Sequence, residues 1–188
     1  NGFTGFFTIW DPTLGGTPTL GQPGGRGAYV SIKVSDGSAT LGSSAIAGDN
    51  TAMNKFLQPY QGFFVQAAQN NPSLTFNQSD KSVDENQVSV FSTSPSSYIR
   101  MTMFDQVSYN NNETADDGLV IFFSPNFTNA VDVNDAPKFA NIDETLARLQ
   151  NGNYMSMENR AMPETSDVLD IYIAQYRTTD YVFEIDVS

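Results

Sequence analysis

The 188-residue sequence contains neither cysteine nor histidine. Without cysteine the chain can form no disulfide, thiol nucleophile or thiolate metal site. Without histidine it cannot build the usual hydrolase triads or an imidazole metal site. The lack of disulfides leaves the compartment open, because many secreted bacterial proteins have none. A glycosidase, which needs only two carboxylates, is an enzyme class that these absences still allow.

Basic residues are also scarce, with 9 Lys and Arg against 21 Asp and Glu and a formal net charge of −12. This charge repels phosphate backbones and anionic lipid surfaces, so nucleic-acid and membrane-surface partners are disfavoured. With so many carboxylates some pair will approach by chance, and no spacing in the sequence singles out a catalytic pair. The sequence therefore predicts a protein that is not an enzyme.

No apolar stretch is long enough to span a bilayer, and the first residues contain no basic segment that leads into a hydrophobic one. We therefore expect no membrane insertion. The sequence is rich instead in turn formers and aromatic residues, with 14 Gly, 9 Pro, 14 Phe and 8 Tyr. Such a composition predicts short elements separated by many turns around one sizeable core. The length and the lack of a linker predict a single domain over residues 1–188.

The strands are expected to be arranged around residues 58–67, where a turn leads directly into a short apolar strand. Pro59 presets one backbone dihedral, and Gly62 tolerates conformations that other residues avoid. Residues 74–76 are predicted to return antiparallel to this strand, because the Asn, Pro and Ser residues in between favour a turn. Phe64 is therefore expected to lie in the core.

Other short runs of alternating or continuous apolar residues predict strands at residues 4–10, 28–34, 88–91, 98–104, 119–123, 154–157, 168–174 and 181–187. The run at 119–123 is the most continuously apolar and is expected to be central. A short helix is predicted over residues 143–149, which begin with acidic residues and precede Gly152. About ten short strands with long loops and at most one short helix predict an all-β, antiparallel, jelly-roll-like sandwich.

Calcium is the candidate cation. Asp132, Asn134 and Asp135 place three oxygen-bearing side chains within four residues, and such oxygens are the ligands that calcium prefers. The stretch lacks the Gly and the terminal Glu of a helix–loop–helix calcium loop. Asp and Asn also form turns by bonding their own backbone, so local turn formation is the alternative.

Sugars are the candidate organic ligands. Trp10 and Tyr109 could stack on sugar rings if they lay on the surface, and burial in or around the core is the alternative for each. A loop-rich sandwich with available aromatic residues is one architecture of a carbohydrate-binding module.

Several stretches occur in a distinctive order: residues 9–11, 58–67, 74–76, 79–81, 117–123, 132–138 and 181–185. In these stretches the chain resembles the β-sandwich module of large surface proteins exported by the type IX secretion system. That module is commonly found just before the C-terminal sorting domain. The resemblance spans nearly the whole chain, its motifs are structural, and no catalytic role is attached to any of them.

The resemblance implies an extracellular, cell-surface protein with a structural or adhesive role, in contact with neighbouring domains of the same protein. Members of the family usually begin with a strand carrying Trp-x-Leu-x-Gly-Asn-Pro-Tyr, which has no counterpart at the start of this sequence. No sorting domain follows Ser188 in it either. A sandwich short of one strand exposes unpaired N–H and C=O groups. The sequence therefore predicts self-association by strand exchange into a filament, with residues 1–5 as the exchanged segment. The alternative is that the residues upstream are not included in the given sequence.

Overall fold

A computed structural model describes residues 2–11, 14, 27–40, 56–57, 61–81 and 97–188. Its strands are β1 (Phe3–Asp11), β2 (Ala28–Lys33), β3 (Phe63–Ala67), β4 (Ser97–Asp105), β5 (Asp117–Phe123), β6 (Ala136–Pro137), β7 (Thr145–Gln150), β8 (Asn153–Arg160), β9 (Ile171–Ala174) and β10 (Tyr181–Val187). A short α-helix, α1 (Gln106–Asn110), and a 3₁₀ helix (Gln78–Asp80) accompany them. The strands form two sheets that pack together, which confirms the predicted all-β sandwich.

The smaller sheet has three antiparallel strands in the order β2–β1–β3. Phe7 and Ile9 of β1 lie opposite Ile32 and Val30 of β2. Because alternate residues of a strand point to the same face, these four side chains form one apolar layer. They are buried in a common core cluster, and Phe63 of β3 packs against it. The alternating residues Ala28, Val30 and Ile32 are therefore buried apolar positions of β2, whereas Val34 lies beyond the strand and is 51% exposed.

The larger sheet has the order β10–β4–β5–β8–β7–β9, with β6 paired to β8. β5 is buried along its whole length, as its continuous apolar sequence predicts. β5 and β8 run parallel, whereas the other pairs of this sheet are antiparallel, so the sandwich is not purely antiparallel. One face of the sheet contributes Val120, Phe122 and Met157 to a cluster with Phe6 of β1, and this contact joins the two sheets.

The helix predicted over residues 143–149 is wrong. These residues enter β7, which pairs with β8 on one side and β9 on the other. Asn151 and Gly152 both have positive φ angles, 49° and 79°, and this conformation closes a tight hairpin between β7 and β8. The observed α-helix begins after Asp105, whose carboxylate accepts hydrogen bonds from the N–H groups of Val107 and Ser108.

The predicted hairpin of β3 with residues 74–76 is also wrong. β3 pairs with β1, with Val65 opposite Phe7, and residues 74–76 form no strand. Phe64 is 48% exposed rather than part of the core. A long-range partner strand with a matching apolar face outweighs the local turn signal. The turn at Pro59 and the strand at residues 88–91 lie outside the described residues.

The described part of the chain contains no helix that is long and apolar enough to cross a membrane.

Candidate functional site

Four aromatic side chains from both sheets meet in one cluster, here called the aromatic surface: Trp10, Tyr29, Phe64 and Phe139. The ring centroids of Trp10 and Tyr29 are 4.8 Å apart, and those of Tyr29 and Phe64 are 5.7 Å apart. Phe139 completes the group at 5.6 Å from Tyr29 and 5.2 Å from Phe64. All four rings are partly exposed to solvent.

The register of the smaller sheet positions three of these rings. Trp10 lies opposite Tyr29, and Phe64 lies opposite Thr8. Since Thr8 and Trp10 are two residues apart on β1, the three rings share one face of the sheet. The segment after β6 is held against this face by Asn141, whose Oδ1 accepts a hydrogen bond of 2.9 Å from the N–H of Tyr29.

The Trp10 ring lies directly on the backbone of Gly27. Gly27 has a φ of +81°, and a Cβ atom built there would lie 2.4 Å from ring atoms of Trp10. A glycine is therefore required both by the backbone conformation and by the space that the indole occupies. The contact fixes the orientation of Trp10 before any ligand arrives.

A cluster of partly exposed, pre-positioned rings can bind the apolar faces of a sugar or another flat ligand. Aromatic side chains carry a large contact area and lose few torsions when they bind. The same rings also fill the space between the two sheets, because Phe139 comes from the larger sheet's loop and Phe64 from the smaller sheet. The aromatic surface is thus both an inter-sheet contact and a partly exposed apolar surface.

Of the two sugar-binding candidates predicted from sequence, Trp10 belongs to the aromatic surface. Tyr109 lies instead on α1 and packs against Phe104 with a ring distance of 5.5 Å. Sequence reasoning missed Phe64 and Phe139 as members. The alternation in β1 and β2 could have paired Trp10 with Tyr29, but no local pattern marks Phe139.

The candidate calcium ligands form a turn. Asp132 Oδ1 accepts hydrogen bonds of 2.7 and 2.8 Å from the main-chain and side-chain nitrogens of Asn134. Asp135 Oδ2 accepts from the N–H of Asp132 at 2.9 Å, and its Oδ1 accepts from the N–H of Asn159 at 2.8 Å. Burial raises the pKa of Asp135, and the hydrogen bonds from Asn159 and Asp132 oppose the rise. These contacts fit the alternative of local turn formation.

A buried ion pair lies beside β5. The Nζ atom of Lys138 is 2.5 Å from Oδ1 of Asp117, and the two side chains are only 2% and 1% exposed. Asp117 also accepts hydrogen bonds from the N–H groups of Gly118 and Leu146. Burial raises the pKa of Asp117, and Lys138 opposes the rise most strongly. The pair ties β5, β7 and the segment after β6 together.

A second polar network surrounds Arg177. Its Nη2 is 3.0 Å from Oδ1 of Asp116, and its Nε is 2.6 Å from Oε2 of Glu144. The hydroxyl of Tyr181 donates to Oε1 of Glu144 at 2.6 Å. Burial raises the pKa of Asp116 to about 7, with Glu144 and Asp105 adding to the rise and Arg177 opposing it. Asp116 and Glu144 are two carboxylates that share Arg177 as a partner, and both are buried.

A third network lies between β7 and β8. The Nε of Arg148 is 2.9 Å from Oε2 of Glu158, and Nη1 of Arg160 is 3.2 Å from Oε1 of the same residue. All three side chains are buried. Two arginines on one carboxylate compensate its burial, so this network is a structural contact within the sheet.

Among the described residues, no group of three acidic side chains is arranged to hold a metal ion. No family model matches the chain, and no curated protein or solved structure is significantly similar to it.

Proposed function

We propose that this chain is a non-enzymatic structural or adhesive module of a secreted cell-surface protein, of the kind exported by the type IX secretion system. The observation that carries the proposal is the buried ion pair of Lys138 with Asp117. The two residues come from two stretches on which the family resemblance rests, 117–123 and 132–138. Their contact supports a scaffold role for these motifs, because a buried pair links the segments that carry it and cannot reach a substrate.

The Arg177 network supports the absence of catalysis. A catalytic acid or base must reach its substrate within hydrogen-bond distance. Asp116 and Glu144 are buried, and their oxygens already bind Arg177, the Tyr181 hydroxyl and the N–H of Asp105. The raised pKa of Asp116 follows from this burial and requires no catalytic role.

Enzymatic activity can be tested with a panel of aryl glycosides. We expect no turnover above that of buffer. Turnover that disappears in a folded Glu144→Gln variant would show that the carboxylate pair is catalytic and would overturn the proposal.

The cell-surface role can be tested in the source organism. An antibody against the chain should label intact cells, and the labelling should disappear in a strain that lacks type IX secretion. Deletion of the parent gene should reduce attachment of the cells to surfaces or to one another. Labelling that requires lysis of the cells would contradict the proposal.

The aromatic surface favours carbohydrate binding as a second candidate function. Partly exposed rings that are held in place by their neighbours favour stacking on sugars. A glycan array should then show reproducible binding that a Phe64→Ala variant loses. Phe76→Ala is the matched control, since Phe76 is a 69% exposed aromatic residue that contacts Phe63 and lies outside the aromatic surface.

Tyr109→Ala should also leave glycan binding unchanged, because Tyr109 packs against Phe104 and touches no ring of the aromatic surface. Equal losses in the Phe64, Phe76 and Tyr109 variants would point to a general effect on folding or solubility. Binding that only Tyr109→Ala abolishes would move the sugar site to α1.

A further inference from the structure

β10 forms one edge of the larger sheet. It pairs with β4 along its whole length, from Tyr181 opposite Asp105 to Val187 opposite Ile99. Within the described ranges no strand pairs with its other side. An edge strand of this length presents a row of main-chain groups that can accept another strand.

The hydrogen-bond pattern shows which residues of β10 point outward. Ser188 and Tyr98 exchange two main-chain hydrogen bonds of 3.1 Å, and the N–H of Gln106 donates to the carbonyl of Asp180. In an antiparallel pair, hydrogen-bonded positions alternate along the strand. The even-numbered residues of β10 therefore bond to β4. The odd-numbered residues direct their N–H and C=O groups away from it.

The outward positions also carry apolar side chains. Phe183 is 37% exposed, Ile185 60% and Val187 67%. They share a face of the sheet with Ile99 and Met101 of β4, which are themselves only partly buried. A strand added to this edge would thus extend both the hydrogen-bonded ladder and an apolar face that is already present.

The opposite face of β10 is acidic. Asp186 accepts a hydrogen bond of 2.7 Å from the Tyr98 hydroxyl and lies 3.6 Å from Nη1 of Arg100. Glu184 has no cationic side chain within ion-pair distance among the described residues. The next strand would place its own side chains beside these two carboxylates, and cross-strand pairs of opposite charge are favourable.

We propose that the outer edge of β10 accepts an extended segment of another protein chain in which apolar residues alternate with basic ones. Apolar residues of the added strand pack beside Phe183, Ile185 and Val187, and its basic residues lie beside Glu184 and Asp186. Main-chain hydrogen bonds supply affinity, and the alternating side chains supply selectivity. Two copies of β10 fit poorly against each other, because their carboxylates would face like charges. The edge is independent of sugar binding by the aromatic surface.

The direct test uses a labelled seven-residue peptide of alternating Val and Lys, beginning and ending with Val. It should bind the purified chain, whereas a Val and Glu peptide of the same length should bind at least about tenfold more weakly, because its charges are reversed. The Val and Lys peptide with alternate main-chain nitrogens methylated should also lose binding, since it cannot complete the ladder.

Amide hydrogen exchange locates the bound peptide on the chain. In the free chain the outward amides of Phe183, Ile185 and Val187 should exchange quickly, because no described strand accepts their hydrogen bonds. The peptide should slow their exchange. The inward amides serve as internal controls, since they are protected with and without peptide: Val182, Glu184 and Asp186.

Ile185→Pro removes one outward N–H group and leaves the bonds to β4 intact, because proline is tolerated on edge strands when its nitrogen faces solvent. We expect peptide binding to weaken by about fivefold or more. Val187→Thr should also weaken binding. Val168→Thr should not, because Val168 is an equally exposed apolar residue outside the edge.

Three results would overturn the proposal. Outward amides that are already protected in the dilute free chain would mean that the chain covers its own edge. Protection that rises with protein concentration alone would make a second copy the occupant. The third result is equal binding of all three peptides, namely the Val–Lys peptide, the Val–Glu peptide and the methylated Val–Lys peptide. It would show that no ladder forms.

Discussion

Two groups of aspartates in the described part of the chain make contacts of different range. At the start of β5, Asp116 and Asp117 are buried and bind Arg177 and Lys138, which are 61 and 21 positions away along the chain. In the turn before β6, Asp132 is exposed, and its carboxylate accepts a hydrogen bond from the N–H of Asn134, two positions later in the chain. Burial removes water as a competing partner, so a buried carboxylate requires partners from the protein, whereas an exposed one can satisfy itself on the nearest N–H. These partners include cations at Asp116 and Asp117, and they are the N–H groups of Asp132 and Asn159 at the buried Asp135.

The sharpest test of this difference removes the cation from one buried pair. Lys138→Ala leaves Asp117 buried without its partner, and we expect a loss of about 3–5 kcal/mol in the free energy of unfolding. The measurement is urea denaturation followed by circular dichroism. A double variant, Asp117→Asn with Lys138→Met, should recover part of the loss because no charge remains buried.

The matched control is Lys33→Ala at a partly exposed ion pair. Lys33 lies 3.8 Å from Asp36, and its Nζ is 5.7 Å from the centre of the Phe122 ring. Such contacts contribute about 1 kcal/mol or less when water reaches them. Equal losses in the Lys33 and Lys138 variants would contradict the view that burial distinguishes the two pairs.

The same contrast applies to apolar side chains. Phe122 lies in the cluster that joins the two sheets, so Phe122→Ala should cost about 3 kcal/mol by leaving a cavity. Phe64 is 48% exposed, and Phe64→Ala should cost about 1 kcal/mol. Both losses in the free energy of unfolding are to be measured from the midpoint of urea denaturation. A loss at Phe64 as large as at Phe122 would place Phe64 in the core after all.

A pH titration tests the buried acidic cluster without breaking a contact. The pKa of Asp116 is raised from 3.8 to about 7 in the folded chain. The folded state therefore binds more protons than the unfolded state between these values, so stability falls as pH rises through this interval. We expect the Tm to be on the order of 5 °C lower at pH 8 than at pH 4.5 from this group.

Asp116→Asn should reduce that pH dependence, because residue 116 then cannot ionise. Asp170→Asn is the control, since Asp170 is an exposed carboxylate away from Arg177. A wild-type Tm that rises steadily from pH 4.5 to pH 8 would contradict the assignment.

The smallest effect is expected at the turn of Asp132 and Asp135. The carboxylates of Asp132 and Asp135 accept hydrogen bonds from protein N–H groups, so calcium would have to displace these contacts. We expect the same Tm in chelator and in excess calcium, measured by thermal denaturation. A Tm that rises with calcium, and no longer rises in Asp132→Asn, would restore the cation site.

The predicted exchange of residues 1–5 competes with the pairing of Gly2 and Phe3 inside the chain. Phe3 lies opposite Ala67 of β3 within the same chain, and the carbonyl of Gly2 accepts from the N–H of Ala68. These residues would have to leave their own sheet before joining another. Sedimentation of the purified chain tests self-association directly. Oligomers that no longer form when residues 1–5 are deleted would support the exchange.

Local sequence patterns predicted the all-β class and most strand positions, because the two-residue alternation of β2, β4 and β10 involves only neighbouring residues. The sequence also contained a signal that the helix prediction misinterpreted, since Asn151 and Gly152 close the β7–β8 hairpin and do not end a helix. The apolar run of β5 likewise predicted a strand buried on both faces.

The pairing of the strands and the contacts between distant side chains are evident only in the folded chain. β3 pairs with β1 and not with residues 74–76, which follow it closely in sequence. β5 runs parallel to β8. Phe139 reaches Tyr29, and Lys138 reaches Asp117, across distances along the chain that no local pattern encodes. The physical reason is that pairing depends on which apolar faces and which charges fit best across the whole molecule, whereas alternation depends on a single strand.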